Sequence, residues 1–503
     1  MNKPAPLLHM TGREKFGLVV LFVFLLVLFL RYGTPLSSDG YYYFAYLPSL
    51  VLDKDLNFNN QYAEDTDPYG FRKQETPVPP NPFPIGAAVL WLPFFLLGRA
   101  VSVLVGIYGF LPGYGPAETY AVGIGSVVYG SLAIFLTYRL VKACVSARTA
   151  GISAVGVGLG SFLLYYTVGE PSFSHAPSAC AVSVFLYLWW EWKESGGSWR
   201  AFGLGLILGL AGAVRPQNLL FVVIPGLWWF VHLSGGLTGP RVLANVRRAG
   251  SFVVGVVIGF LPQMAAWWCI YGKPLTIPQG EGFMRWTEPA VANVFFSTRH
   301  GLFAQAPITM FSLLGLMLLF GRRGRLALVM LVGLGVQGYL NAAVADWWGG
   351  AAFGMRRFAA TTAILGVGLA SFLDGFLDWA ERHGRVLRRA LVYLFVLFFV
   401  WVNVEWIVLY RRERIPGSGT WSPGEALAEV TGKRFRWLYR KVGNPFSFPA
   451  NWLFAIRFRT SPARYDRVVG DYFLYDVPFP GNELNFGRAA YEHFLVEGFY
   501  PIE

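Results

Sequence analysis

Asp39 is where a chemical reading of this sequence begins. It stands in "RYGTPLSSDGYYYFAYLPSL", directly after an apolar run. Later segments between apolar runs carry further ionisable residues: Glu170 and His175 in "YTVGEPSFSHAPS", Arg215 in "AVRPQN", Arg299 and His300 in "STRHGLF", and Arg356 and Arg357 in "GMRRFAA". One carboxylate with several guanidinium and imidazole groups suits a reaction that needs a base and a cation-lined seat for a phosphate leaving group. The carboxylate takes the proton of an acceptor hydroxyl. Guanidinium groups hold the charge that builds on phosphate oxygen as its bond breaks.

Plainer readings stand beside these. "SSDG" is good turn and helix-capping sequence, and Tyr41, Tyr42 and Tyr43 suit an interfacial belt or packing. Glu170 and His175 can cap a helix, Arg215 can snorkel to the interface, and Arg356 and Arg357 can be topology charges. Arg299 and His300 precede a helix start, where positive charge opposes the dipole, which favours a functional or paired role. Asp53, Asp55, Asp65 and Asp67 read as a solvated acidic loop. Lys273 and Arg285 flank "PLTIPQGEGF", whose Pro and Gly content suits a mobile cover.

The elements that must position these residues are set by composition. The chain has 503 residues, 54% hydrophobic and only 14% charged, against about 25% charged in an average soluble protein. A polytopic α-helical membrane protein follows. The net charge of +13 comes in short clusters between apolar runs, so it marks loops on one side of a membrane rather than a nucleic-acid surface. Cys144, Cys180 and Cys269 lie in or beside apolar segments without paired or metal-like spacing and read as core residues.

The N-terminal run, flanked by Lys3, Arg13 and Lys15, has no small-residue cleavage site after it and reads as an uncleaved first span with a cytoplasmic N-terminus. Further segments of spanning length lie at about 117–138, 149–167, 175–192, 200–214, 217–232, 250–270, 303–320, 325–342, 358–375 and 391–410, giving about eleven spans. The basic clusters around Arg139, Lys193, Arg247, Arg322 and Arg385 then share the cytoplasmic side. Residues 84–106 are apolar enough to span, but a full crossing would put Arg139 outside, so an amphipathic interfacial or re-entrant helix on the outer face is expected. Two regions result: a transmembrane region, 1–410, with a first outer loop at about 32–116, and a small extracytoplasmic domain with short strands, 411–503. All the candidate residues above fall on the outer side, where phosphate-bearing lipids are natural donors.

The order of these motifs resembles the GT-C superfamily of polytopic glycosyltransferases, specifically the bacterial enzymes similar to the dolichyl-phosphate-mannose protein mannosyltransferases and the aminoarabinose transferases. The resemblance covers about 15–410 and is carried by "SSDGYYYFAYLPSL", "PPNPFPIGAAVLWLPFFLLG", "GEPSFSHA", "AGAVRPQNLLF", "STRHGLFAQAPI" and "WWGGAAFGMRRF". It implies a GT-C-like bundle in the cytoplasmic membrane and inverting transfer of a sugar from a polyprenyl-phosphate donor to a lipid, glycan or protein acceptor at the outer face. It assigns Asp39 the role of catalytic base. Arg356, Arg357, Arg299 and His300 become candidates for the donor phosphate, with Glu170, His175 and Arg215 as further substrate-binding candidates. The family often has a second acid or polar residue after the first, which Gly40 cannot supply; Glu75, Glu170 or His175 remain as ligands if a divalent metal is used. A transporter or flippase of a lipid-linked saccharide, and a glycan polymerase or ligase with a diphosphate donor, are the alternatives.

Overall fold

The computed structural model describes residues 10–73, 78–193, 197–233, 239–380, 385–431, 441–444 and 447–465. Among the described residues all regular structure is helical, with only an isolated bridge between Met284 and Val344. Helix α1, Gly12–Tyr32, starts at a capping box in which Thr11 and Glu14 satisfy each other's backbone N–H groups. Most of its apolar surface faces outward, with Phe16 71% exposed. A helix apolar on all sides and left uncovered belongs in lipid. Among the described residues seven helices are long and apolar enough to cross a membrane: α1, Gly86–Val105, Pro116–Lys142, Leu243–Tyr271, Phe320–Ala342, Arg356–Phe376 and Ala390–Arg411. The chain is a helical membrane protein.

Three segments expected as continuous spans are broken. The 149–167 segment divides at Gly160 into α5, Ala147–Leu159, and α6, Leu163–Val168. The 303–320 segment divides before Pro307, which lacks the N–H a continuing helix needs, into α12, Leu302–Gln305, and α13, Ile308–Leu318. The 217–232 segment begins as a 3₁₀ stretch, Pro216–Val222, before α9, Val223–Leu233. Helices α7, His175–Trp192, and α8, Ser198–Val214, are unbroken over 18 and 17 residues, as expected.

Charge pairs mark two opposite ends of the bundle. At one, Glu14 meets Lys142 at 2.9 Å and Arg139 at 3.7 Å at the end of α4, Pro116–Lys142. Arg139 also donates to Tyr187 Oη near the end of α7, and Arg323 donates to the carbonyl of Cys144. Arg139, read from sequence as a topology charge, is buried. At the other end the Thr34 N–H donates to the Gly169 carbonyl, joining the chain after α1 to the turn after α6, and Arg411 donates to the Tyr32 carbonyl. Asp39 lies here.

Helix α3, Gly86–Val105, runs antiparallel to α4: Tyr129 Oη donates to the Leu90 carbonyl, Trp91 Nε1 to Ser126 Oγ, and Ser102 Oγ to Glu118. Its first turn is therefore level with the middle of α4 and its last turns lie beside the first turn of α4. These contacts hold α3 in the half of the bundle nearer Asp39. Helix α8 packs on α10, Gly239–Tyr271, at backbone contact distance, because Gly205 and Gly209 on one face Gly255 and Gly259 on the other.

The tail differs from its expected strands. Where it is described it forms helices, Pro423–Thr431 and Ala450–Phe458, the first in the Ala- and Glu-rich run "PGEALAEVT" with its high helix propensity. The "YDVPFPGNELNFG" stretch lies outside the described residues. Cys269 is exposed rather than in the core.

Candidate active site

Asp39 opens α2, Asp39–Pro48, where an acidic group is favoured by the helix dipole. Ser38 before it adopts φ 45°, ψ −125°, a combination costly for any residue with a Cβ. Gly40 after it packs so closely on Ser172 that a Cβ there would collide with the Ser172 hydroxyl. Its backbone is not left-handed; close approach to the turn after α6, not a tight turn of its own, requires the glycine. The start of α2 is thereby fixed against an element far away in sequence.

Asp39 is 6% exposed, and both its oxygens are engaged. Oδ2 accepts from Arg356 Nη1 at 2.6 Å, and Oδ1 accepts from the Tyr69 hydroxyl. Burial and then the Asp39 charge push the Tyr69 hydroxyl up to about 12, so it stays a proton donor. The Tyr69 ring is half exposed and stacks on Tyr42 at 5.3 Å. Tyr42 is fully buried and donates to Asp67, which also accepts the N–H groups of Phe71 and Arg72. Tyr42 and Tyr43 are thus core rather than belt, and Asp67 is an anchor of the first loop rather than a solvated acid.

Arg356 opens a 3₁₀ stretch, Arg356–Thr361, leading into α15, Thr362–Ala380. Its Nε and Nη2 both donate to the Gly349 carbonyl, at 3.0 and 2.7 Å. Gly349 and Gly350 sit at φ 83° and 75°, the left-handed region where a side chain would be strained, and so turn that carbonyl toward the guanidinium. Phe173 lies 5.2 Å from the guanidinium carbon. Arg357 is held separately, donating to the Asp346 carboxylate at 2.7 Å and the Asp346 carbonyl at 2.8 Å.

The other candidates gather around this pair. Glu170 accepts from Ser37 Oγ; burial raises its pKa, and Arg356 and Ser37 oppose that rise. His175 begins α7, 1% exposed, with its ring 4.5 Å from that of Tyr166. Arg215 caps the end of α8 and donates to Ser174 Oγ at 3.2 Å; it does not snorkel outward. His300, at φ 65°, sets Nδ1 2.7 Å from the Trp348 carbonyl. Burial pulls its pKa down to about 4, with Arg299 and Arg356 adding to the shift, so the ring is neutral at ordinary pH. Arg299 lies 3.8 Å over the Trp348 ring and donates to the Ser418 carbonyl.

All eight candidates therefore stand at one end, but only Asp39 and Arg356 touch directly. Sequence reasoning missed Tyr69, Phe173 and Trp348. "WWGG" beside the arginines carried a signal, since paired glycines mark a turn that special backbone angles require. Nothing local marked Tyr69. Among the described residues no three His, Cys, Asp or Glu side chains converge to hold a metal ion, and Glu75 lies outside them. Fold and site together define a helical membrane protein with its ionisable groups clustered at one end around a clasped carboxylate. No protein-family model matches the chain, and no curated protein is found to be similar to it.

Proposed function

We propose that the chain is a membrane-embedded glycosyltransferase of GT-C type, with about eleven spans counting the broken ones. It transfers a sugar from a polyprenyl-phosphate donor to an acceptor hydroxyl on the extracytoplasmic side of the cytoplasmic membrane. The observation that carries this reading is the Asp39 carboxylate, which accepts a hydrogen bond from a hydroxyl at Oδ1 while a guanidinium holds Oδ2. Oδ1 is within reach of an O–H group, and Tyr69, half exposed, can leave it. The basic residues around Glu14 at the opposite end fit a cytoplasmic face.

In the reaction the acceptor hydroxyl takes the place of Tyr69 and gives its proton to Asp39. Its oxygen attacks the anomeric carbon from the face opposite the phosphate. The bond from that carbon to phosphate oxygen breaks, and the electron pair leaves with the polyprenyl phosphate. The configuration inverts. Arg356 fixes the direction of the base, which matters because proton transfer needs hydrogen-bond geometry.

The test is transfer of radiolabelled sugar from polyprenyl monophosphate donors into a membrane lipid extract, with diphosphate donors run in parallel. Wild type is expected to transfer label and Asp39→Asn to lose about 100-fold or more, the low end for a general base. Equal transfer by the variant would remove Asp39 from the role. Transfer from diphosphate donors alone would turn the reading to a glycan polymerase or ligase.

A further inference from the structure

The guanidinium groups at the Asp39 end are unevenly neutralised. Arg356 is joined to Asp39, and Arg357 to Asp346. Among the described residues no carboxylate pairs with Arg215. Its Nη1 meets only the Ser174 hydroxyl, its Nη2 meets Gln217 Oε1 at 3.5 Å, and its Nε is buried with no protein partner. Burial, and then the nearby charges of Arg356 and Arg357, pull its pKa below the usual arginine value, whereas Tyr43 and Asp39 oppose that shift. The residue as a whole is half-buried, with Nε shut off from solvent and no carboxylate beside it among the described residues.

Its surroundings are those of an anion seat. Ser174 is the N-cap residue of α7, yet its hydroxyl accepts no N–H from that helix and serves Arg215 instead. At the first turn of this 18-residue helix the N–H groups of His175 and Ala176 and the positive end of the dipole remain, Pro177 having no N–H. His175, the first helical residue, is 1% exposed, and its Nδ1 also lacks a protein partner. The Ser172 hydroxyl, against Gly40, is a third buried polar atom without one.

We propose that Arg215, with Ser174, His175 and the start of α7, seats the phosphate of a lipid-borne phosphoester, and that Arg356 is a positioning residue for Asp39 rather than a phosphate ligand. The word donor for that phosphoester rests on the transferase reading; the anion seat itself does not. A sugar phosphodiester carries one negative charge, which matches the single positive charge of Arg215. Departure of the sugar leaves a monoester with a second ionisable oxygen, so the seat holds the leaving group more strongly as the bond breaks.

The test uses the purified full chain in detergent and a short-chain polyprenyl monophosphate as the probe. The same chain as the free alcohol, and inorganic phosphate, are the comparison ligands. Binding is followed by calorimetry and by the shift in melting temperature. Wild type is expected to bind the monophosphate at least tenfold more tightly than the alcohol. Arg215→Gln is expected to bind it at least about 30-fold more weakly than wild type, as for truncating one partner of a buried charge-assisted contact. Arg215→Lys restores part of the loss. Without ligand, Arg215→Gln melts no lower than wild type, because a half-buried charge with no carboxylate partner has been removed; a merely structural arginine would lower it.

Tighter binding of the monophosphate than of inorganic phosphate assigns the seat to a lipid head group, and equal binding assigns it to free phosphate. If Arg215→Gln does not fold, His175→Leu takes its place with a loss of at least fivefold expected. Unchanged affinity in the folded variant, or a wild type that does not distinguish monophosphate from alcohol, overturns the seat. If the probe binds through Arg215 but no polyprenyl-phosphate sugar is turned over, the seat stands and the transferase reading falls. If Arg215→Gln transfers sugar with unchanged KM for the donor, the seat falls and the transferase stands.

Discussion

Removing either partner of the Asp39–Arg356 pair is expected to cost far more than an exposed ion pair would, and removing both is expected to cost little more than removing one. The N–O distance is 2.6 Å, and the two side chains are 8% and 13% exposed. At a charge separation of about 4 Å and an effective dielectric of about 20, the gross attraction is roughly 4 kcal/mol. Desolvation cancels part of it, but a lone partner keeps the desolvation without the attraction, and single losses of about 3 kcal/mol follow. Arg356→Gln leaves Asp39 with the Tyr69 hydroxyl alone; Asp39→Asn leaves Arg356 with the Gly349 carbonyl. The double variant removes both charges, so a coupling energy of about 2 kcal/mol is expected. Unfolding of the four proteins in detergent, closed as a double-mutant cycle, measures it. Additivity within about 0.5 kcal/mol would refute the clasp. The transfer assay separates the roles: Asp39→Asn should lose turnover even at temperatures where it is fully folded.

Other consequences can be measured with the same material. His300 has a folded pKa of about 4 against 6.5 when exposed, so its contribution is complete above pH 6.5 and is lost as the unfolded chain takes up a proton between pH 6.5 and 4. The loss amounts to roughly 3 kcal/mol; a melting-temperature profile in which His300→Asn, a residue that tolerates positive φ, falls as steeply as wild type would show the ring is not held neutral. In the proposed reaction the acceptor replaces the Tyr69 hydroxyl, so the kcat/KM of Tyr69→Phe for transfer should stay within about tenfold of wild type, unlike that of Asp39→Asn. A loss of about 100-fold would make the Tyr69 hydroxyl itself part of the chemistry.

What the sequence disclosed follows from the range of the forces involved. The apolar runs and the basic clusters between them are local, so the membrane class and the gathering of Asp39, Glu170, His175, Arg215, His300 and Arg356 at one end could be read without coordinates. Which arginine pairs with which acid could not. Arg356 and Arg357 are neighbours in the chain, yet one reaches Asp39 and the other Asp346. The glycines at 349 and 350 and the 3₁₀ start decide that division, and both depend on tertiary packing. Arg139 lies at the end where α1 begins, as its cluster suggested, but its burial was hidden for a related reason: its partner Glu14 sits in a different apolar segment, and a side chain that looks like a loop charge becomes buried once the two helices meet. Hydropathy over a window also hides breaks. Gly160 and Pro307 were visible in the runs they interrupt, but the average across each run stayed apolar.

The clasp joins residues 317 positions apart, which has a consequence for how the protein is made. At roughly 5 to 20 residues per second, a ribosome delivers Arg356 on the order of 15 to 60 s after Asp39 has emerged. Throughout that interval the helices already inserted hold a carboxylate whose partner does not yet exist. A stalled or prematurely released chain therefore possesses the first span, the aromatic loop and the Arg215 corner, but an Asp39 carboxylate that no guanidinium holds. Competence arrives late and in one step, when the segment carrying Gly349 and Arg356 docks against the oldest part of the molecule.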